Sequence, residues 1–318
     1  MDLKSTSREQ HRDVFVLSGG ANRGAVQVGM MEVLLEHGIV PDALVGTSVG
    51  ALNAAFMGIR PDRARLRELR SRWMALTTRD IFPGGTLTRV GHLIRQRPYL
   101  FSPGALTRLI DDWLPTTNLE DLPTPVRVVT TPLTGDTAVY HRHGNLAQLL
   151  LASAAVPAVF PPVHLPASCG HPGPHVDGGV ADLVPVSGAA DLAPTRVFVL
   201  DASVPSRLPR GRTPIDVLVA SLGVATRVRP VPDLGPGVAV HHLTTPDRDI
   251  RMTDFSNTHQ HICDGRAAAE KLIDDLVAVR QQELAELSQL ASSEADAALA
   301  PAPARRSTRL WDRRNRAA

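Results

Sequence analysis

Two short apolar runs, each ending at a glycine turn and each followed at once by a helix-period pattern, constrain this chain more than any other feature. Val14-Phe15-Val16-Leu17 ends at Ser18-Gly19-Gly20. A continuous apolar run bounded by turn residues suits a strand buried on both faces of a parallel sheet. Beyond it, Val26, Met30, Val33 and Leu34 share one helical face, and the pattern stops near His37-Gly38. Ala43-Leu44-Val45 is the second run, leading into Gly46-Thr47-Ser48-Val49-Gly50 and a further apolar helix. Strand, glycine turn and helix, given twice, open a doubly wound α/β sheet.

Further strands are expected at Val126–Thr130, Thr137–His141, Arg196–Leu200 and Val238–Leu243, and helices at Pro61–Leu76, Ser102–Trp113, Asn145–Ala155 and Pro214–Thr226. The expected architecture is one three-layer α/β/α domain over residues 12–285 with a mainly parallel central sheet. A polar lead, 1–11, precedes it. Three stretches read as irregular: Thr77–Tyr99, rich in Gly, Pro and Arg and suited to a cap; Pro157–Pro174, loop-like; and a basic, disordered tail over 293–318. The Pro61–Leu76 helix is amphipathic, as expected of a helix packed on a sheet.

Hydrophobic residues make up 43% of the chain but aromatic ones only 4%, so the core has to be built from Val, Leu and Ala. The formal charge of +2 conceals a tail with six Arg against one Asp over residues 305–318, leaving the remainder near −3. That balance argues against a general polyanion or nucleic-acid binder. Two cysteines, Cys169 and Cys263, provide no disulfide framework and suit a reducing compartment. The first residues have no apolar stretch after their charges, and no run approaches the roughly 20 residues needed to span a bilayer. The expected location is cytoplasmic, with the Arg-rich tail adding a weak attraction to anionic membrane surfaces.

The candidate chemistry lies in the turns. Gly46-Thr47-Ser48-Val49-Gly50 is a G-x-S-x-G sequence between a predicted strand and a predicted helix, the context a nucleophile elbow requires. The first turn, Ser18 to Gly24, offers free N–H groups at a helix N-terminus, which suit either a phosphate or the oxyanion of acyl transfer. A dinucleotide site would need an acidic residue at the end of the second strand, and a P-loop would need a Lys-Ser/Thr pair; neither is present. The base for Ser48 is open on the residues alone: many histidines follow, none in a distinctive setting, while Asp177-Gly178-Gly179 puts a carboxylate before a pair able to turn sharply. Cys169, His171, His175 and His164 fit no standard zinc spacing, so no metal is expected.

Taken in order, Gly19–Gly24, Gly46–Gly50 and Asp177-Gly178-Gly179 resemble the patatin-like phospholipase family. The resemblance extends to Ser153-Ala154-Ala155-Val156-Pro157-Ala158-Val159-Phe160-Pro161-Pro162 and to Asp254-Phe255-Ser256 with its following helix, and so covers about Val14 to Val279. It implies a serine lipid acyl hydrolase of phospholipase A, lysophospholipase or esterase type. Ser48 and Asp177 would form a catalytic dyad with no catalytic His, metal or cofactor. Gly20 and Ala21 would supply oxyanion N–H groups, with Gly19 and Gly24 shaping the turn and Arg23 adding positive field. Gly46, Gly50, Gly178 and Gly179 would be the small residues of the elbow and the Asp turn. Ala21 stands where the family usually has a third Gly, and a catalytically silent lipid-binding member is the alternative. Ile81, Phe82, Val90, Leu93, Ile94, Val159 and Phe160 are expected to line an apolar acyl groove beside Ser48.

Overall fold

The computed structural model describes residues 11–82, 99–203 and 232–299 apart from 247, 249 and 252, together with 217, 221, 224 and 225 individually. The greater parts of the expected cap (77–99), of the 214–226 helix and of the basic tail lie outside these residues.

The central strand, β1 (Asp13–Leu17), is buried along its whole length. A strand of that kind needs a neighbour on each side, and β1 has two parallel ones: β2 (Ala43–Thr47) and β7 (Arg196–Leu200). Outward from these lie β8 (Ala239–Leu243), parallel to β7, and β3 (Val126–Pro132), parallel to β2. β3 is where the direction changes. One edge of β3 carries β4 (Val139–His141); the other, beyond the end of β2, carries β6 (Gly173–Asp177), both antiparallel, and β6 is bordered by β5 (Val163–Leu165). The result is one eight-stranded sheet, ordered β5-β6-β3-β2-β1-β7-β8 with β4 alongside β3.

Helix α1 (Gly24–Glu36) follows β1, α2 (Val49–Gly58) follows β2, and α3 (Arg63–Ala75) packs beside α1. As the composition requires, the core is mainly aliphatic, with Val14, Val16, Val45, Val129, Val197 and Val199 forming one cluster on the sheet. The few aromatics are used sparingly, as in the edge-on pair Phe15–Phe198 with ring centroids 5.6 Å apart. Beside the sheet, a set of buried polar groups pairs with one another. Asn53 bonds the Gly24 carbonyl and Gln27, and accepts from the Trp73 indole at 2.9 Å; Gln27 bonds the carbonyls of Ser18 and Leu200.

Three differences from the sequence reading have physical causes. β5 and the first two residues of β6 fall inside the Pro157–Pro174 stretch that reads as loop. Both strands are short, and Pro174 breaks the periodicity, yet its carbonyl still accepts from the Leu133 amide at 2.9 Å. The last helix runs from Thr258 through Leu299, beyond the expected domain end at 285 and the expected start of the tail at 293. From Asp274 it belongs to a second compact unit, which exposes Val279, Leu284, Leu287 and Leu290. Lastly, Phe82 and Phe160, expected to line a groove, are buried against Phe101 in an aromatic cluster; Val90, Leu93 and Ile94 lie outside the described residues. No helix among the described residues is long and apolar enough to cross a membrane.

Candidate active site

Because β1 and β2 are parallel neighbours, the two glycine turns leave the sheet side by side at the C-terminal ends of their strands, with Leu17 opposite Gly46. Ser48 is the single residue between β2 and α2, and it has φ 55° and ψ −124°. That region is almost closed to residues with a Cβ, and holding one there costs of order 1–3 kcal/mol. The turn is tight enough that a Cβ on Gly50 would lie 2.3 Å from the Leu17 carbonyl oxygen. Ser48→Gly is therefore expected to be more stable than Ser48→Ala by about 1–2 kcal/mol, since only glycine relieves the torsion. Equal urea midpoints for the two variants would show that the elbow is unstrained.

Asp177 arrives from the opposite direction. Register places Thr47 opposite Val129 and Asp177 opposite Thr130, so the ends of β2 and β6 meet at successive positions of β3. Gly178 then packs closely on β3, where a Cβ would stand 2.4 Å from the Val129 carbonyl oxygen. This approach brings the Asp177 carboxylate to Ser48, whose hydroxyl donates to it. Gly179 N–H donates to Asp177 Oδ1 at 2.7 Å. Burial pushes the Asp177 carboxyl up to about 7, against the pull of these two hydrogen bonds.

The segment from Ser153 to Ala155 braces both residues. Ser153 Oγ accepts from the Ser48 amide at 2.9 Å and donates to the Val129 carbonyl at 2.6 Å. The Ala155 carbonyl accepts the Asp177 amide at 2.9 Å. Thr131 donates to the Asp177 carbonyl at 2.9 Å and accepts from the Ala181 amide. Neither Ser153 nor Thr131 stands out in the sequence as a site residue. Ser153 lies in a run quoted there only for its resemblance.

In the first turn the residues divide. The Gly19 amide donates to the Leu183 carbonyl at 3.0 Å. The amides of Gly20 and Ala21 have no acceptor among the described residues. Ala21 has φ 51°, the left-handed conformation that a third glycine would adopt without strain. Arg23 is buried, with its guanidinium donating to Ala202 O, Thr245 Oγ1 and Pro246 O; it ties the turn to the end of the sheet. Gly24 begins α1.

His141, His164, His171 and His175 lie on or beside β4, β5 and β6. His141 and His175 are buried and share the Thr130 hydroxyl, at 2.7 and 2.8 Å, and burial holds both below the usual imidazole range. His164 and His171 are exposed, while Cys169 is buried. Among the described residues no group of three or more His, Cys, Asp or Glu is arranged to hold a metal ion.

The sequence profile of the Patatin-like phospholipase family matches residues 15–190, more than half of this 318-residue chain. The chain belongs to that family. Patatin-like phospholipase domain-containing protein 6 of Homo sapiens is 27% identical over 186 residues, covering 58% of this chain and 13% of that protein. The domain-containing protein 7 of Rattus norvegicus is 28% identical over the same length, with 58% and 13% covered. An uncharacterized NTE family protein of Mycobacterium tuberculosis is 29% identical over 153 residues, covering 47% of this chain and 24% of its own. This patatin-like chain thus matches only a minor part of the length of these relatives. Among solved structures, VipD from Legionella pneumophila aligns with a TM-score of 0.43 and 15% identity, covering 83% of this chain and 67% of that one. The patatin-like match includes both glycine turns and Asp177 but ends before β7.

Proposed function

We propose that this protein is a serine hydrolase of acyl-lipid esters, working from the cytoplasm at the membrane periphery through a Ser48–Asp177 dyad. The observation that carries this reading is the pairing of a half-buried serine, in a strained elbow, with a buried carboxylate that accepts its hydroxyl hydrogen bond. Family membership supports an acyl lipid as the substrate class, and two of the relatives described above carry phospholipase in their names.

The chemistry follows from the residues. Asp177 takes the proton as Ser48 Oγ attacks the ester carbonyl carbon, and the carbonyl π pair moves to oxygen. The resulting oxyanion is met by the Gly20 and Ala21 amides. As the intermediate collapses, the alcohol leaves with the proton held by Asp177. Water, deprotonated by the same carboxylate, then attacks the acyl-enzyme and releases the fatty acid, returning the proton to Ser48. A carboxylate of ordinary pKa is a poor base for an alcohol. Burial that lifts Asp177 to about 7 narrows the mismatch.

Because the base must be ionised, kcat/KM on a soluble short-chain ester should rise with pH and level off above about 7, following the Asp177 value. A profile that falls between about pH 5 and 8 would contradict the assignment. A fluorophosphonate probe should label the intact protein on the peptide containing Ser48. Labelling on any other serine, with Ser48 unmodified, overturns the reading.

A further inference from the structure

Resting on that reading, we propose that Asp201 is a positioning residue for the reaction: through Ser18 and the backbone of Ala202 it clamps the 18–21 turn so that the Gly20 and Ala21 amides face the reacting carbonyl. Asp201 follows directly on β7, the strand beside β1, and lies outside the dyad.

The contacts form a closed set. Ser18 Oγ, fully buried, donates to Asp201 Oδ1 at 3.0 Å and accepts from the Ala202 amide at 2.7 Å. The Ser203 amide donates to the same Oδ1 at 2.8 Å, and His242 Nε2 meets Oδ2 at 3.0 Å. Burial raises the Asp201 carboxyl, but the bonds from His242 and Ser203 outweigh it and hold the group below the usual carboxylate range. It is therefore a permanent anion at neutral pH, and a stronger acceptor than a neutral group.

Ala202 carries the constraint to the turn. Its amide is held by Ser18, and its carbonyl accepts Arg23 Nε at 3.2 Å. Gly20 rests directly on that carbonyl: a Cβ there would lie 2.1 Å from the oxygen. The turn needs such a support, because Ala21 sits at φ 51° against its own preference. Oxyanion donors contribute in proportion to how rigidly they are aimed before the charge develops. A turn with a strained alanine and no clamp would relax and lose that aim.

The test uses the full chain with p-nitrophenyl butyrate as substrate and an alkyl trifluoromethyl ketone, which adds Ser48 Oγ to give a tetrahedral oxyanion, as inhibitor. Asp201→Ala should lower kcat by roughly 30–100-fold with KM within about two-fold, and the inhibition constant should rise in step with the loss of kcat. Asp201→Asn keeps an acceptor oxygen for Ser18 and Ser203 and should recover to within about five-fold of the parent. Should Asp201→Ala fail to fold, Ser18→Ala removes only a hydroxyl and should still lower kcat about ten-fold or more. Parent-level kcat and inhibition in folded Ser18→Ala, or a loss confined to KM, overturns the clamp. Ser48→Ala is assayed alongside: full turnover there overturns the dyad itself, whereas a dead Ser48→Ala with unaffected Ser18→Ala overturns the clamp alone.

Discussion

Asp177→Asn should fold normally and hydrolyse esters about 10³-fold or more slower than the parent, the scale on which members of a catalytic unit act. Asn preserves the size and can still accept the Gly179 amide, which donates at 2.7 Å in the parent. What it lacks is a charge able to take the Ser48 proton. Ser48→Ala should lose about as much, and the double variant little more, because two groups in one proton transfer are not additive. His164→Ala and His171→Ala, both at exposed positions, serve as controls and should stay within a small factor of the parent. His175 makes a poor control, since it is buried and bonded to Thr130 and the His171 carbonyl, so its loss would disturb β6. If His164→Ala or His171→Ala is as inactive as Ser48→Ala while Asp177→Asn works, a triad replaces the dyad.

The same substitution should stabilise the protein, in a pH-dependent way. Asp177 titrates near 7 when folded, against an ordinary value of 3.8. The folded state therefore holds the proton more tightly, so its contribution is favourable at low pH and is lost as pH rises through about 7. Fully ionised, the buried carboxylate costs at most about 4 kcal/mol relative to the unfolded chain. Asp177→Asn escapes that cost. Its gain in unfolding free energy over the parent should be about 2–3 kcal/mol larger at pH 8 than at pH 5. Urea denaturation of both proteins at the two pH values measures this directly. A gain independent of pH would mean that Asp177 is not held near 7.

How far the sequence foretells this arrangement varies with the kind of residue involved. β1 and β2 are legible because a buried parallel strand has to be apolar throughout and both runs end at glycines. Ser48 and Asp177 are legible because their neighbours must be small for the chain to turn where it does, as the Gly50 and Gly178 contacts demonstrate. Ser153, Ser18 and Asp201 are not. Each is a single polar residue whose importance depends on strands that meet only in three dimensions. The helix reaching Leu299 was hidden for a different reason: few large apolar side chains suggest a segment that cannot pack, yet Ala, Glu, Gln and Leu are strong helix formers by themselves.

The position of β7 has a consequence for how the protein can be made and cut. The family match ends at residue 190, just short of the strand that closes the open side of β1. Ser18 and Asp201, like Asp13 and Arg196, are bonded across 183 residues of sequence. A fragment trimmed to the recognisable region would carry Ser48 and Asp177 but leave Val14-Phe15-Val16-Leu17 as a bare apolar edge, a template for intermolecular pairing. During synthesis the same edge stays open until β7 leaves the ribosome. The most hydrophobic strand of the sheet is among the first made and among the last to be covered on both sides, so aggregation rather than slow chemistry would be the first symptom of a shortened chain.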